Sequence, residues 1–155
     1  MEIIELKEKD NIVENAKLKR IYLQFKELLK ELRKRELPQN IVQSINLEIE
    51  DTNSTSHADK ELKKIFKQKQ TKIIKLLEKE LKIVPKNFYR NLWTAMGIAV
   101  IGLPLGVLLG IIITNNSAYL GGGVSIGLVI GIGIGFEKDK KASKEGRQID
   151  IEIKY

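Results

Sequence analysis

The sequence predicts an all-α membrane protein: a cytoplasmic three-helix amphipathic bundle, then a two-helix transmembrane hairpin, then a short extended carboxyl-terminal tail. Three observations predict it. The 155 residues carry 27 Lys+Arg and 20 Asp+Glu, yet residues 91–136 carry no charged side chain. The residues before that run repeat apolar side chains at helical spacing. The last eight residues alternate polar and apolar, the period of a strand. The expected organisation is a helical domain over 1–85, a hairpin over 86–136 and a basic tail over 137–155.

The first helix is expected over about 12–36, where Leu18, Ile21, Phe25, Leu28 and Leu32 recur at steps of three and four. Asn11 with Glu14 forms a candidate capping box. Leu37-Pro38 ends this helix or begins the next. A second helix is expected over 39–51, with Ile41, Val42, Ile45 and Ile49 on one side. Asp51 to Ser56 reads as a polar loop. Ser56 with Asp59 then caps a third helix over 57–84, whose stripe is Leu62, Phe66, Ile73, Leu77, Leu81 and Val84, interrupted at Lys69 and Gln70. Pro85 stops it. Three amphipathic helices suit a small bundle, and the seam of 18–32 suits a coiled coil between subunits equally well. The many Lys residues serve as the solvated face and also favour anionic membrane lipid. Nucleic acid is not an expected partner, because no recognition motif is present and acids interleave with the bases.

Two spans are expected, at about 92–113 and 118–136, joined by the polar turn Thr114 to Ser117. At ~1.5 Å per helical residue they reach about 33 and 28 Å, against a hydrocarbon core of about 30 Å. The opening segment is too charged for a signal peptide, so the first span is expected to act as its own insertion signal. Basic residues flank both outer ends: Lys86 and Arg90 before, Lys138, Lys140 and Lys141 after. The positive-inside rule then places both termini in the cytoplasm, with these cations and Trp93 at the membrane surface.

Eleven of the twelve glycines lie within 97–135. Gly123, Gly127, Gly131 and Gly135 follow at steps of four; Ala95, Ala99, Gly102, Gly106 and Gly110 follow at steps of four or three. Each series makes one small-residue stripe, which lets helix backbones approach closely. The stripes are expected to pack on each other, between subunits, or both. Pro104 removes one backbone hydrogen bond mid-span and marks a kink or hinge. In these residues the hairpin resembles the class of glycine-zipper proteins with two transmembrane segments, which implies a mode of helix packing and no defined activity. It is similar in outline to the proton-carrying ring subunit of rotary ATP synthases, but lacks the intramembrane carboxylate and the polar cytoplasmic turn. Class II holins and the large mechanosensitive channel also resemble it in having two spans with both termini inside.

In the tail, Ile149, Ile151, Ile153 and Tyr155 share one face of a strand, which needs an edge to join. Residues 1–6 could supply that edge within the chain or from a neighbour, or the tail could add to a partner's sheet. With no Cys and only His57, in a polar loop, the chain offers no zinc set, no thiol nucleophile and no nucleophile–base pair. No enzyme activity and no cofactor are expected. The leading expectation is a non-enzymatic scaffold or accessory subunit, anchored and self-associated through the hairpin, docking a membrane or cytoplasmic protein partner through its helices and terminal strand. The alternative is an oligomeric pore-forming or membrane-disrupting effector gated by the cytoplasmic domain. The Lys/Ile/Asn-rich usage points to a bacterial inner membrane.

Overall fold

A computed structural model describes residues 2–8, 12, 15–54, 59–113 and 119–154. The candidate capping box at Asn11 and Glu14, the Ser56 cap, His57, the turn at Thr114 to Ser117 and Tyr155 lie outside the described residues. Two units emerge, Met1–Pro85 with Ile149–Tyr155, and Lys86–Gln148.

The first unit contains helices α1 (Ala16–Arg33), α2 (Gln39–Ser54) and α3 (Asp59–Leu81). The Asn15 side chain caps α1, accepting from the N–H groups of Lys17 and Leu18 at 3.1 and 3.2 Å. Lys30 and Arg33 occupy its last turn, where cations oppose the helix dipole. The whole expected stripe, Leu18 through Leu32, is buried, together with Tyr22 and Leu29. Helix α2 follows Pro38, whose carbonyl accepts from Ile41 and Val42. It runs to Ser54, through residues expected to form a loop. The polar Thr52 is tolerated in full burial there because its hydroxyl donates to Glu48 O at 2.7 Å.

Helix α3 packs against both α1 and α2. Phe66 joins it to α1, with ring centroids 6.0 Å from Tyr22 and 6.4 Å from Phe25. The two residues that interrupt its stripe in sequence are both engaged. Gln70 is fully buried and satisfied: its amide donates to Ile21 O at 2.9 Å and accepts from Gln24 at 2.9 Å. Lys69 sits between Glu48, at 2.8 Å, and Asp51. Burial raises the Glu48 carboxyl, but hydrogen bonds from Lys69 and Lys72 outweigh it and hold the group below its ordinary value.

The third helix ends at Leu81, short of the expected 84. Lys82 takes a left-handed φ of 56° and its N–H bonds back to Glu78 O at 3.1 Å, a five-to-one αL cap usually made with glycine, while Ile83 N–H reaches Leu77 O at 3.2 Å. Val84–Lys86 is instead a strand, β1, paired with β2 (Gln148–Glu152) in a two-stranded sheet. Pro85 therefore lies within an edge strand, where its missing N–H is tolerated.

The terminal alternation does form a strand, and of the pairings left open by the sequence the one seen is within this chain, with β1. Ile149, Ile151 and Ile153 are buried within this chain, at 1, 9 and 7% exposure. The tail is further tied by Lys154 N–H donating to Gln24 Oε1 at 3.0 Å. Residues 2–8 do not supply its edge, because their backbone groups are engaged by side chains of the first two helices.

Candidate functional site

The apolar unit holds two helical stretches. The first is α4 (Phe88–Met96), a π-helical segment (Gly97–Gly102) and α5 (Leu103–Ile113), continuous in direction; the second is α6 (Tyr119–Lys144). Both are long and apolar enough to cross a membrane, over Phe88–Gly110 and Gly121–Lys144. The second continues eight residues past the span expected from sequence, carrying the basic flank on its last turns.

The stretches run antiparallel, backbone against backbone. Gly123 meets Gly102 and Gly106; Gly127 meets Gly97 and Gly102; Gly131 meets Trp93, Thr94 and Gly97; Gly135 meets Tyr89 and Arg90. A Cβ added at Gly127 would lie 2.7 Å from Gly102 Cα, and one at Gly135 would lie 2.7 Å from Tyr89 O. No side chain other than hydrogen fits these positions unless the helices separate. By contrast, a Cβ at Gly121, Gly122 or Gly133 meets nothing within 4 Å.

The stripe on the first stretch differs from the expected one. Gly102 and Gly106 are buried and Gly110 is half-buried, but Ala95 and Ala99 are exposed and Gly97 takes the contact position. The π-helical segment is the reason. Leu103 N–H bonds to Ile98 O, five residues back, so one turn holds an additional residue and brings Gly97 into line with Gly102. The segment directly precedes Pro104, whose ring and missing N–H disrupt regular four-residue pairing. A widened π-helical turn thus stands just before Pro104, where the sequence marks a kink or hinge.

The stripe on α6 continues past the last glycine. Asp139, four residues beyond Gly135, is 7% exposed. Its Oδ1 accepts from Tyr89 N–H at 3.0 Å and its Oδ2 from Arg90 N–H at 2.9 Å. Asn87 precedes α4 with φ 60° and makes no side-chain cap bond, so Asp139 caps α4 from the neighbouring helix. The carboxylate also complements the positive end of that helix. Sequence reasoning passes over Asp139; its place in the four-residue series is the available signal.

Lys138 Nζ lies 5.3 Å from the Trp93 ring centroid and 6.0 Å from that of Tyr89, within cation–π range. Lys86, Lys138, Lys140 and Lys141 are exposed; Arg90 and Trp93 are half-buried. Thr94 and Ser125 turn their hydroxyls to their own helices: Thr94 donates to Arg90 O at 2.7 Å and Ser125 to Gly121 O at 2.9 Å. On the outer faces, large apolar side chains are open, with Val100 65% and Val129 68% exposed.

No family model, curated protein or solved structure matches this chain.

Proposed function

We propose that the chain is a non-enzymatic integral membrane protein, a scaffold or accessory subunit. Its paired glycine helices anchor it, and its three-helix unit, read as a cytoplasmic bundle, docks partners. One observation carries the anchoring: only 17% and 22% of the residues in the two most apolar helical windows are buried, while Val100, Val129 and their neighbours face outward. Water does not tolerate a contiguous apolar surface of that size, and lipid does. Lys138 over Trp93 and the exposed Lys140 and Lys141 suit the headgroup level of an anionic leaflet, which supports an inner-membrane placement with both termini cytoplasmic.

The scaffold reading is favoured over the pore. Thr94 and Ser125 spend their hydroxyls on their own backbones and so do not offer ions a polar lining. The main glycine stripes face each other, so self-association draws on the remaining faces, where Gly121, Gly122 and Gly133 stand open. The test is the mass of the particle extracted in mild detergent, with co-purifying proteins identified. The proposal predicts a homo-oligomer or a stoichiometric foreign partner. A monomer that co-isolates with nothing contradicts it.

A further inference from the structure

Helix α3 carries eight lysines and no arginine. Between Leu62 and Leu77 it holds six of those lysines and no acid. Two of the six are engaged within the unit: Lys69 pairs with Glu48 and Asp51, and Lys72 with Glu48, across to α2. Lys63, Lys64, Lys67 and Lys75 make no hydrogen bond or ion pair among the described residues. With about 100° between successive helical residues, these four share about 140° of the helix surface with Gln68 and Thr71. That side is exposed or half-buried, while Leu62, Phe66, Ile73 and Leu77 bury the other. A shallow open hollow of about 320 Å³ lies there, lined by Lys67, Gln68, Thr71, Lys72 and Lys75. Lysine stems are apolar up to the ammonium, so the hollow combines methylene walls with cationic tips.

We infer that this side of α3 is a docking surface for the anionic phospholipid headgroups of the leaflet beside it. The inference rests on the membrane anchoring proposed above. Charge selects the class of partner, because four lysines without a carboxylate attract anions and repel a second copy of the same face. Residue type selects lipid among anions. Arginine forks suit a fixed carboxylate or phosphate, whereas lysine is a point charge on a flexible stem and suits headgroups with no fixed arrangement. Tethering supplies proximity. Two covalent passages, Pro85 to Lys86 and Gln148 to Ile149, join this unit to the apolar one. From Leu81 to Leu92, where the first span is expected to begin, the chain reaches at most about 40 Å. Anchored spans therefore hold α3, about 35 Å long, at a high effective concentration of headgroups, without the entropy cost that a free partner carries. Contact through ammonium groups stays at headgroup level, so the face remains open to water-borne reagents.

The chain has no cysteine, so a single probe can be placed at will. Full-length Gln68→Cys carries a fluorophore and is reconstituted in lipid nanodiscs that contain a headgroup nitroxide lipid. The bulk lipid is phosphatidylcholine, with or without phosphatidylglycerol. Docking predicts stronger quenching with phosphatidylglycerol, and loss of that rise in about 0.5 M salt, where the screening length falls to about 4 Å. Each well-placed lysine strengthens docking about fivefold, so Lys63→Gln, Lys64→Gln, Lys67→Gln and Lys75→Gln together weaken it more than about a hundredfold and remove the rise. Helical circular dichroism checks that this variant stays folded. Gln43→Cys, exposed on α2, is the position control and shows no rise. Equal quenching in both lipids overturns the inference, as does a rise that survives the four substitutions or appears equally at Gln43. A stoichiometric acidic protein, released from native membranes by the same substitutions while the discs show no lipid effect, overturns it too and gives the face to that protein. A probe at Val129→Cys with acyl-chain nitroxides separates the two failures. Quenching there, with none of the lipid dependence at Gln68, defeats the docking alone; no quenching there defeats the anchoring as well.

Discussion

At the scale of single residues, the apolar pair depends on what is missing at four positions and on one carboxylate. Gly127→Ile forces a side chain into the backbone of Gly97 and Gly102, whereas Gly133→Ile enters open space. The first is expected to destabilise the pair by at least about 1–3 kcal/mol, the second to stay within about 0.5 kcal/mol. Unfolding titrations in mixed micelles, followed by Trp93 fluorescence, measure both. Equal effects would show that the glycines contribute only as flexible backbone. Asp139→Ala leaves the N–H groups of Tyr89 and Arg90 without their acceptor. Its expected cost is about 1–3 kcal/mol. The same titration reads it, and Asp139→Ala no less stable than the parent would remove the capping role.

At the scale of elements, the ion cluster joining α2 to α3 sets a pH window. The Glu48 carboxyl lies below its ordinary 4.5, so its contribution is present above that value and is lost as pH falls through the lower folded value. Burial works against the Lys69 ammonium, but Asp51 and Glu48 raise it above its ordinary 10.5, so its contribution holds below that value and fades as pH climbs past the folded one. The first unit should therefore melt at a steady temperature between about pH 5 and 10, and Glu48→Gln should flatten the acid limb. Helical circular dichroism across pH checks this; an acid limb unchanged in Glu48→Gln would place the sensitivity elsewhere. The elements legible in the sequence were those with local period. The stripes of α1 and α2, the four-step glycines of α6 and the alternation of 148–153 all appear in the structure as buried positions. What escaped was non-local or exceptional. Gln70 looks like a break in a stripe until Ile21 O and Gln24 are brought to it. A three-residue strand containing Pro85 has no periodicity to read. The π-helical turn changes which first-stretch residue faces α6, and only the backbone around Pro104 reveals it.

At the scale of the whole molecule, the central claim is that the two apolar stretches, over about 92–113 and 119–136, lie in lipid while the helical unit lies in water. The composition pointed there, through 46 residues without charge, and the open apolar faces of the folded pair give that composition its physical consequence. The two stretches bury glycine backbone between them and leave valine, leucine and isoleucine outside, the inverse of a water-soluble helix pair. The most direct measurement is single-cysteine accessibility in native membranes, in a chain that has no cysteine of its own. Val100→Cys, Val129→Cys, Lys64→Cys and Lys140→Cys are each exposed to a membrane-impermeant maleimide on opened vesicles. The account predicts rapid labelling at positions 64 and 140, and labelling at 100 and 129 only after the membrane is dissolved. Rapid labelling at 100 and 129 in intact bilayers would contradict it.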